Sequence, residues 1–358
     1  MNDLLWASLG LGCAFGVAAR ISDFCLLGGL RQMMSSGRQR TGRGGMPILQ
    51  AFALALVVAL IGTQGLALLG LIDLSQALPV RARFSPLGTV AGGVLFGIGM
   101  ALARSCGARA LVLLAGGNLR SLWVLLWLGL GAQASMTGVL APWRQALQGW
   151  MPVTLAQPTA HGWLAAQWGE QGLSPMLALA LAAGLPCLLL LIFALRAPHP
   201  DVPALRRQWP RLLGALLIGA LVAAGWWISA ALADPFAPEP QPITSLSFIS
   251  PVAESWLWLQ LAVGRELAAG VMLVAGVLVG AFVAALVSRT LRLEGFESPG
   301  RMAGTAIGGL LMGFGGVVTL GCTIGQGLSG LSTLSLASLL SMGGIVLGAI
   351  IVIPWQKR

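Results

Sequence analysis

The feature that most limits what this chain can fold into is a succession of apolar stretches, each about as long as a lipid bilayer is thick. A helix needs about 20 apolar residues to span one. Such stretches run over Leu4–Arg20, Pro47–Ile72, Leu87–Gly117, Leu119–Pro142, Pro175–Leu195, Leu212–Ala233, Glu266–Ser288, Met302–Gly330 and Leu331–Ile353. Hydrocarbon offers no hydrogen-bond partners, so backbone polar groups there must be satisfied within helices or against other protein. The chain is 57% hydrophobic and 9% charged, where a soluble domain carries about 25% charged residues. These observations predict an all-α polytopic membrane protein with about nine transmembrane helices plus short re-entrant half-helices. The third and eighth stretches are too long and too glycine-rich for single straight helices, and each is expected to break near its cysteine.

Loop charges set a direction. The segments Arg31–Gly45 and Arg206–Arg211 are basic, as are Arg289, Arg292, Arg301, Lys357 and Arg358, whereas Pro142–Ser174 and Asp234–Gly264 carry little positive charge. An N-terminus outside and a C-terminus in the cytoplasm places every basic cluster inside, as membrane proteins prefer. The net charge of +10 is thereby explained, and with no basic stripe interleaved with aromatics, no nucleic-acid partner is expected. The opening MNDLLWASLGLGCAFG carries Asp3 instead of a basic signal start and reads as a retained first helix. Trp143, Trp150, Trp226, Trp227, Trp256, Trp258 and Trp355 fall near span ends and read as interfacial anchors. Five cysteines in or beside apolar segments do not suggest a disulfide framework.

The chain contains an internal duplication. GTVAGGVLFGIGMALARSC (Gly88–Cys106) aligns without a gap on GTAIGGLLMGFGGVVTLGC (Gly304–Cys322), with identities at Gly88, Thr89, Gly92, Gly93, Leu95, Gly97, Gly99 and Cys106. FSP at Phe84 matches ESP at Glu297 after a three-residue slip. The charge-based topology runs the two copies in opposite directions. Inverted repeats with glycine-interrupted segments at matching positions are the sequence pointer to a transporter's midplane site. The expected division is residues 1–142 as a first repeat, 143–211 as external loop, connecting span and basic cytoplasmic loop, and 212–358 as the second, inverted repeat. Most of the glycines serve close helix packing; packing does not call for a cysteine at the end of both copies, so Cys106 and Cys322 are read as functional. Cys25, in RISDFCLLGGLRQMM, is a third candidate, placed in the first turn of a short helix capped by Ser22 or Asp23. Its counterpart, sought near Gly225–Phe236, has no cysteine. Cys13 and Cys187 read as filler.

A half-helix beginning after each break points free N–H groups and the positive end of its dipole at the cysteine, which favours an anion. Arg104 and Arg109 flank Cys106, and cations in a span are costly unless paired or hydrated; their functional reading is attraction of an anion. A thiol is a weak donor and weak acceptor, poor for oxygen but suited to a soft terminal sulfur. The pattern points to a sulfur-bearing anion handed along in steps, with Thr323 and Gln326 as oxyanion donors beside Cys322.

Three stretches, SDFCLLGGLR, GGVLFGIGMALARSCG and GGLLMGFGGVVTLGCTIGQGLSG, resemble the YeeE/YedE family of bacterial membrane proteins. The resemblance implies thiosulfate uptake across the inner membrane through inverted repeats with short re-entrant helices, with Cys25, Cys106 and Cys322 matching the functional cysteines and Gly107 and Gly325 in their neighbouring elements. For some members it implies a separate cytosolic TusA-like sulfur carrier as partner. One departure is Arg109, three residues after Cys106, where the family often has glycine, as Gly325 follows Cys322. A related sulfur or selenium anion is therefore the alternative substrate.

Other classes fit less well. A soft-metal transporter would want closely spaced Cys or Met ligands, and a membrane thiol oxidoreductase a CxxC pair, which the sequence lacks. The histidines, His161 and His199, lie in loops, so no enzymatic acid–base machinery and no cofactor is expected. Asp73 sits at a span end and reads as interfacial, leaving no evident cation-coupling residue.

Overall fold

The computed structural model describes residues 2–34, 48–168, 174–195, 205–232, 242–264, 266–296 and 298–357. The loop arginines Arg38, Arg40 and Arg43, together with Glu170, His199, Asp234, Glu239, Arg265, Glu297 and Arg358, lie outside the described residues.

The described residues are overwhelmingly helical. The first half comprises α1 (Asn2–Ser22), α2 (Leu26–Met34), α3 (Ile48–Leu68), α4 (Pro86–Ala103), α5 (Gly107–Ala115), α6 (Leu119–Met136) and α7 (Ala141–Gly149). Then follow α8 (Ala160–Trp168), which carries His161, and α9 (Pro175–Leu179), joined through a π-helical turn to α10 (Leu185–Leu195). The second half comprises α11 (Leu205–Ala231), α12 (Ile249–Gln260), α13 (Ala269–Val287), α14 (Pro299–Thr319), a π-helical segment Gly325–Gly330 and α15 (Leu336–Val352). Eight helices among the described residues are long and apolar enough to cross a membrane, or nine if α6 and α7, bent by 67°, form one span. The short helices α2 and α5 are the second halves of the broken spans Asp3–Met34 and Pro86–Ala115. A long helix, a break, a short helix and two further long helices occur in this order twice: α1–α2–α3–α4 and α11–α12–α13–α14.

Both copies of the duplicated stretch begin alike. Ser85 and Ser298 are N-caps followed by proline, their hydroxyls accepting from Gly88 N at 2.9 Å and Arg301 N at 3.4 Å. Proline at the first position loses only an amide that has no helical partner anyway. The helices then pack on each other through their glycines. Gly92 lies against Val318 and Thr319, and Gly99 against Gly308 and Met312, so α4 and α14 run antiparallel. Gly93 faces Ser341 and Gly344, and Gly97 faces Ile345 and Ala349, so α15 runs parallel to α4. Gly309 and Gly313 seat α14 on α6 at Val124 and Leu128. Added β-carbons at these glycines would meet partner backbone, or at Gly92 the Val318 and Thr319 side chains, the signature of small-residue helix packing in lipid.

Trp143, Trp150, Trp227 and Trp355 are exposed, as anchors should be. Trp226 is not an anchor: it is 1% exposed and its Nε1 donates to Ser332 Oγ at 3.2 Å. A hydroxyl inside the bundle satisfies the indole N–H, which the sequence around Trp226 did not reveal. Asp73 caps the turn Leu74–Gln76 by accepting from Ser75 N at 2.9 Å.

Gly99→Val should strip the α4–α14 contact, where an added β-carbon lies 2.7 Å from Met312 N; a loss of about 1–3 kcal/mol is expected, read as a lower melting temperature in detergent. Gly10→Ala, with nothing within 4 Å, should melt as the parent does.

Candidate functional site

The three candidate cysteines occupy one local structure used three times. Each long helix ends, and the residue two before the cysteine takes a left-handed conformation: Asp23 at φ 54°, Arg104 at φ 56° and Leu320 at φ 59°. The cysteine carbonyl then opens the next helical turn, accepting from Gly29 N (3.2 Å), Ala110 N (2.9 Å) and Gln326 N (2.7 Å) for Cys25, Cys106 and Cys322 respectively. Each thiol stands where a cap residue stands. Cys25 Sγ accepts from Gly28 N at 3.3 Å and Cys322 Sγ from Gly325 N at 3.3 Å. Cys106 is turned toward the Arg109 amide without completing a cap hydrogen bond. Good caps carry oxygen; sulfur is a weak acceptor, so these amides are only loosely satisfied.

Nothing in the sequence announced the left-handed residues. Glycine or asparagine usually fills such positions, and here Asp23, Arg104 and Leu320 do. The expected capping of the α2 helix by Ser22 or Asp23 is corrected in the same way. Ser22 Oγ donates to Ala18 O at 2.6 Å, inside α1, and Cys25 itself is the cap.

The breaks converge. The thiols of Cys25 and Cys106, 81 residues apart in sequence, face each other, with the Thr323 side chain beside Cys106. All three line a cavity with Phe15, Asp23 and Arg109. Its volume of about 20 Å³ holds roughly one water-sized group, so the site is closed. Cys25 and Cys106 are each 4% exposed, and Cys322 is fully buried beside the cavity residue Thr323. The fourth break is filled differently. The sought counterpart of Cys25 is not in Gly225–Phe236, where the chain is still α11 as far as Ala231; by element order it is Phe248, the N-cap of α12. Its backbone lies beside Cys322, and its ring lies 4.9 Å from that of Phe15.

The remaining candidates divide. Arg109 lines the cavity, its Nη1 donating to Asp23 O at 3.3 Å and its Nη2 standing 3.8 Å from Asp23 Oδ1. Arg104 ends α4 as an exposed cap residue and does not line the cavity. Gln326 is 1% exposed, with Nε2 donating to Thr319 O at 2.6 Å, so one of its two N–H bonds is already spent. Gly107 closes on Leu128, and Gly325 admits Ser247 Oγ 2.7 Å from where a β-carbon would stand. All five cysteines are free, and Cys13 and Cys187 lie apart from the cavity. Among the described residues no group of three His, Cys, Asp or Glu side chains could hold a metal ion.

A polytopic bundle whose broken helices bring two buried thiols to one cavity, with a third beside it, has the build of a membrane transporter with an internal site. The chain belongs to the sulphur-transport family, whose profile matches residues 21–351. It is 28% identical over 341 residues to the thiosulfate transporter TsuA of Escherichia coli, covering 92% of this chain and 88% of that one. The thiosulfate transporter TsuA of Spirochaeta thermophila is 26% identical over 355 residues, covering 96% and 97%.

Mild oxidation with diamide should join the Cys25 and Cys106 peptides by a disulfide visible in mass spectrometry, leaving Cys322 open to alkylation after unfolding. A cross-link involving Cys322 would contradict the arrangement.

Proposed function

We propose that this protein imports thiosulfate, or a closely related sulfur-containing anion, across the inner membrane. In this reading the N-terminus lies outside, the C-terminus in the cytoplasm, and residues 1–142 and 212–358 act as inverted halves around the site. The observation that carries it is the meeting of Cys25, Cys106 and Thr323 at one cavity, with Cys322 adjoining. Thiosulfate has a soft terminal sulfur and a sulfonate end. Thiols accept the first at little desolvation cost, while Thr323 Oγ1, Gln326 Nε2 and the loosely satisfied cap amides offer donors for the oxygens. Serial contact with Cys322, Cys106 and Cys25 splits the passage into short steps, none binding tightly enough to trap the anion. The cysteines are contact residues, and no bond is made or broken.

Arg109 gates the route in this account. Its ion pair with Asp23 is long and exposed, with Asp23 70% accessible, and such pairs contribute at most about 1 kcal/mol. An arriving dianion competes with Asp23 for the guanidinium, and the cavity must widen as it does so. Released substrate passes to the cytoplasm or to a separate TusA-like sulfur carrier. Inward movement of a dianion against an inside-negative potential of about 100 mV costs about 4.6 kcal/mol, at about 2.3 kcal/mol per charge, so consumption or a co-transported cation has to drive it. A second reading is favoured by one observation, the contact between the Cys25 and Cys106 thiols: a membrane thiol oxidoreductase cycling that pair.

Radiolabelled thiosulfate uptake in cells lacking their own sulfur importers tests both. Wild type should accumulate label; Cys106→Ala and Cys322→Ala should fall at least tenfold with protein still in the membrane. Arg109→Gln should weaken uptake severalfold, and Cys13→Ala and Cys187→Ala should leave it unchanged. Robust uptake in Cys106→Ala and Cys322→Ala would reduce the cysteines to packing, and absence of uptake in wild type would refute thiosulfate as substrate.

A further inference from the structure

Directly beyond Cys322 lies a set of buried oxygens that the cysteine site does not use. Gln326 Oε1, Ser338 Oγ and Ser341 Oγ are buried and have no hydrogen-bond partner, and their residues are at most 1% exposed. Elsewhere in this bundle, helical hydroxyls turn back onto the carbonyl four residues earlier, as Ser135 does to Gly131, Ser255 to Pro251, Ser288 to Ala284 and Thr319 to Gly315. Ser338 and Ser341, one turn apart on α15, do not. The Gln326 amide cannot be reversed, because Nε2 already donates to Thr319 O at 2.6 Å and reversal would set two acceptors together. The oxygens of Gln326 and Ser338 face the same space above Gly330. A β-carbon added there would lie 2.9 Å from Gln326 Oε1 and overlap Ser338 Oγ. This space is bounded by the π-helical segment Gly325–Gly330, a local form that recurs at functional sites.

We propose that Gln326 Oε1 and Ser338 Oγ, with Ser341 Oγ one turn further along α15, form a binding site for a dehydrated monovalent alkali cation, Na⁺ in class, which accompanies the anion. Buried oxygens left without partners carry a desolvation cost that a cation relieves through their lone pairs. An oxyanion is a poor occupant, since Oε1 would oppose it. Ca²⁺ and Mg²⁺ take carboxylate ligands, and none of the three residues supplies one. Gln326 N donates to Cys322 O at 2.7 Å, so the residue that supplies Oε1 lies one helical turn after the cysteine. A dianion held at Cys322 and a cation held here strengthen each other's binding, and the coupling is reciprocal. Cation binding stands on these oxygens alone; only its coupling role rests on the proposed import of a sulfur anion.

The test uses purified full-length protein in detergent, melted in NaCl, KCl or choline chloride at equal ionic strength and followed by tryptophan fluorescence. An alkali cation should raise the melting temperature saturably while choline does not. Ser338→Ala/Ser341→Ala, which removes two hydroxyls without adding bulk, should abolish the shift, as should Gly330→Ala, which fills the space. In cells, replacing external Na⁺ by choline at fixed potential should lower thiosulfate uptake about fivefold or more, and the double variant should be indifferent to the replacement. Equal melting in all three salts would leave only a bound water and overturn the proposal, as would a shift that survives in both variants. A cation shift in a protein that takes up thiosulfate in no medium would support the cation site and remove the import reading instead.

Discussion

The structure depends on the need to satisfy backbone hydrogen-bonding groups where no water is available. A helix interrupted in lipid exposes orphan donors and acceptors, so each break must be walled in by protein. Here the wall is made of helices that approach more closely than side chains ordinarily permit. Gly92, Gly97 and Gly99 bring α4 onto α14 and α15, and Gly309 and Gly313 bring α14 onto α6. Non-helical residues 105–106 and 321–324 are buried inside the bundle and not against lipid. The glycine stripes and the helix breaks are two sides of one requirement.

The breaks in turn account for the sulfur. An N-cap position wants an acceptor for the amides that follow, and serine or aspartate would bind those amides well. At Ser85, Ser298 and Ser335 the chain uses such a cap to start a transmembrane helix. At residues 25, 106 and 322 the same position holds cysteine, whose sulfur occupies the amides weakly. In the proposed function, a weak internal cap leaves the N–H groups available to a visiting anion while presenting a polarisable atom to it. A plain scaffold gains nothing from this exchange, whereas a site that must bind and release does. The left-handed residues before each cysteine store strain of order 1–3 kcal/mol apiece, held in place by the packing around them.

Charge is used sparingly. Asp23–Arg109 is the one ion pair found among the described residues, and it stands at the cavity of the two contacting thiols. Its position joins α5 to the junction of α1 and α2. The oxygens left without partners at Gln326, Ser338 and Ser341 are neutral and buried.

By itself the sequence determined the spans, their glycine-rich duplicated pair and the cysteines that end them. These rest on local hydrophobicity and on identity between two stretches, which need no three-dimensional information. Ser85 and Ser298, matched by a three-residue slip, became equivalent helix caps for that reason. Tertiary structure alone decided that Cys25 touches Cys106, that Arg109 and not Arg104 faces the cavity, and that Phe248 fills the fourth break. Each depends on where helices far apart in sequence cross, and on left-handed turns at Asp23, Arg104 and Leu320 that carry no glycine to mark them. Burial of Trp226 and the stranded oxygens of Gln326, Ser338 and Ser341 were hidden likewise. A polar atom's partner in a bundle is set by the helix opposite, and nothing within twenty residues of it can say which one that is.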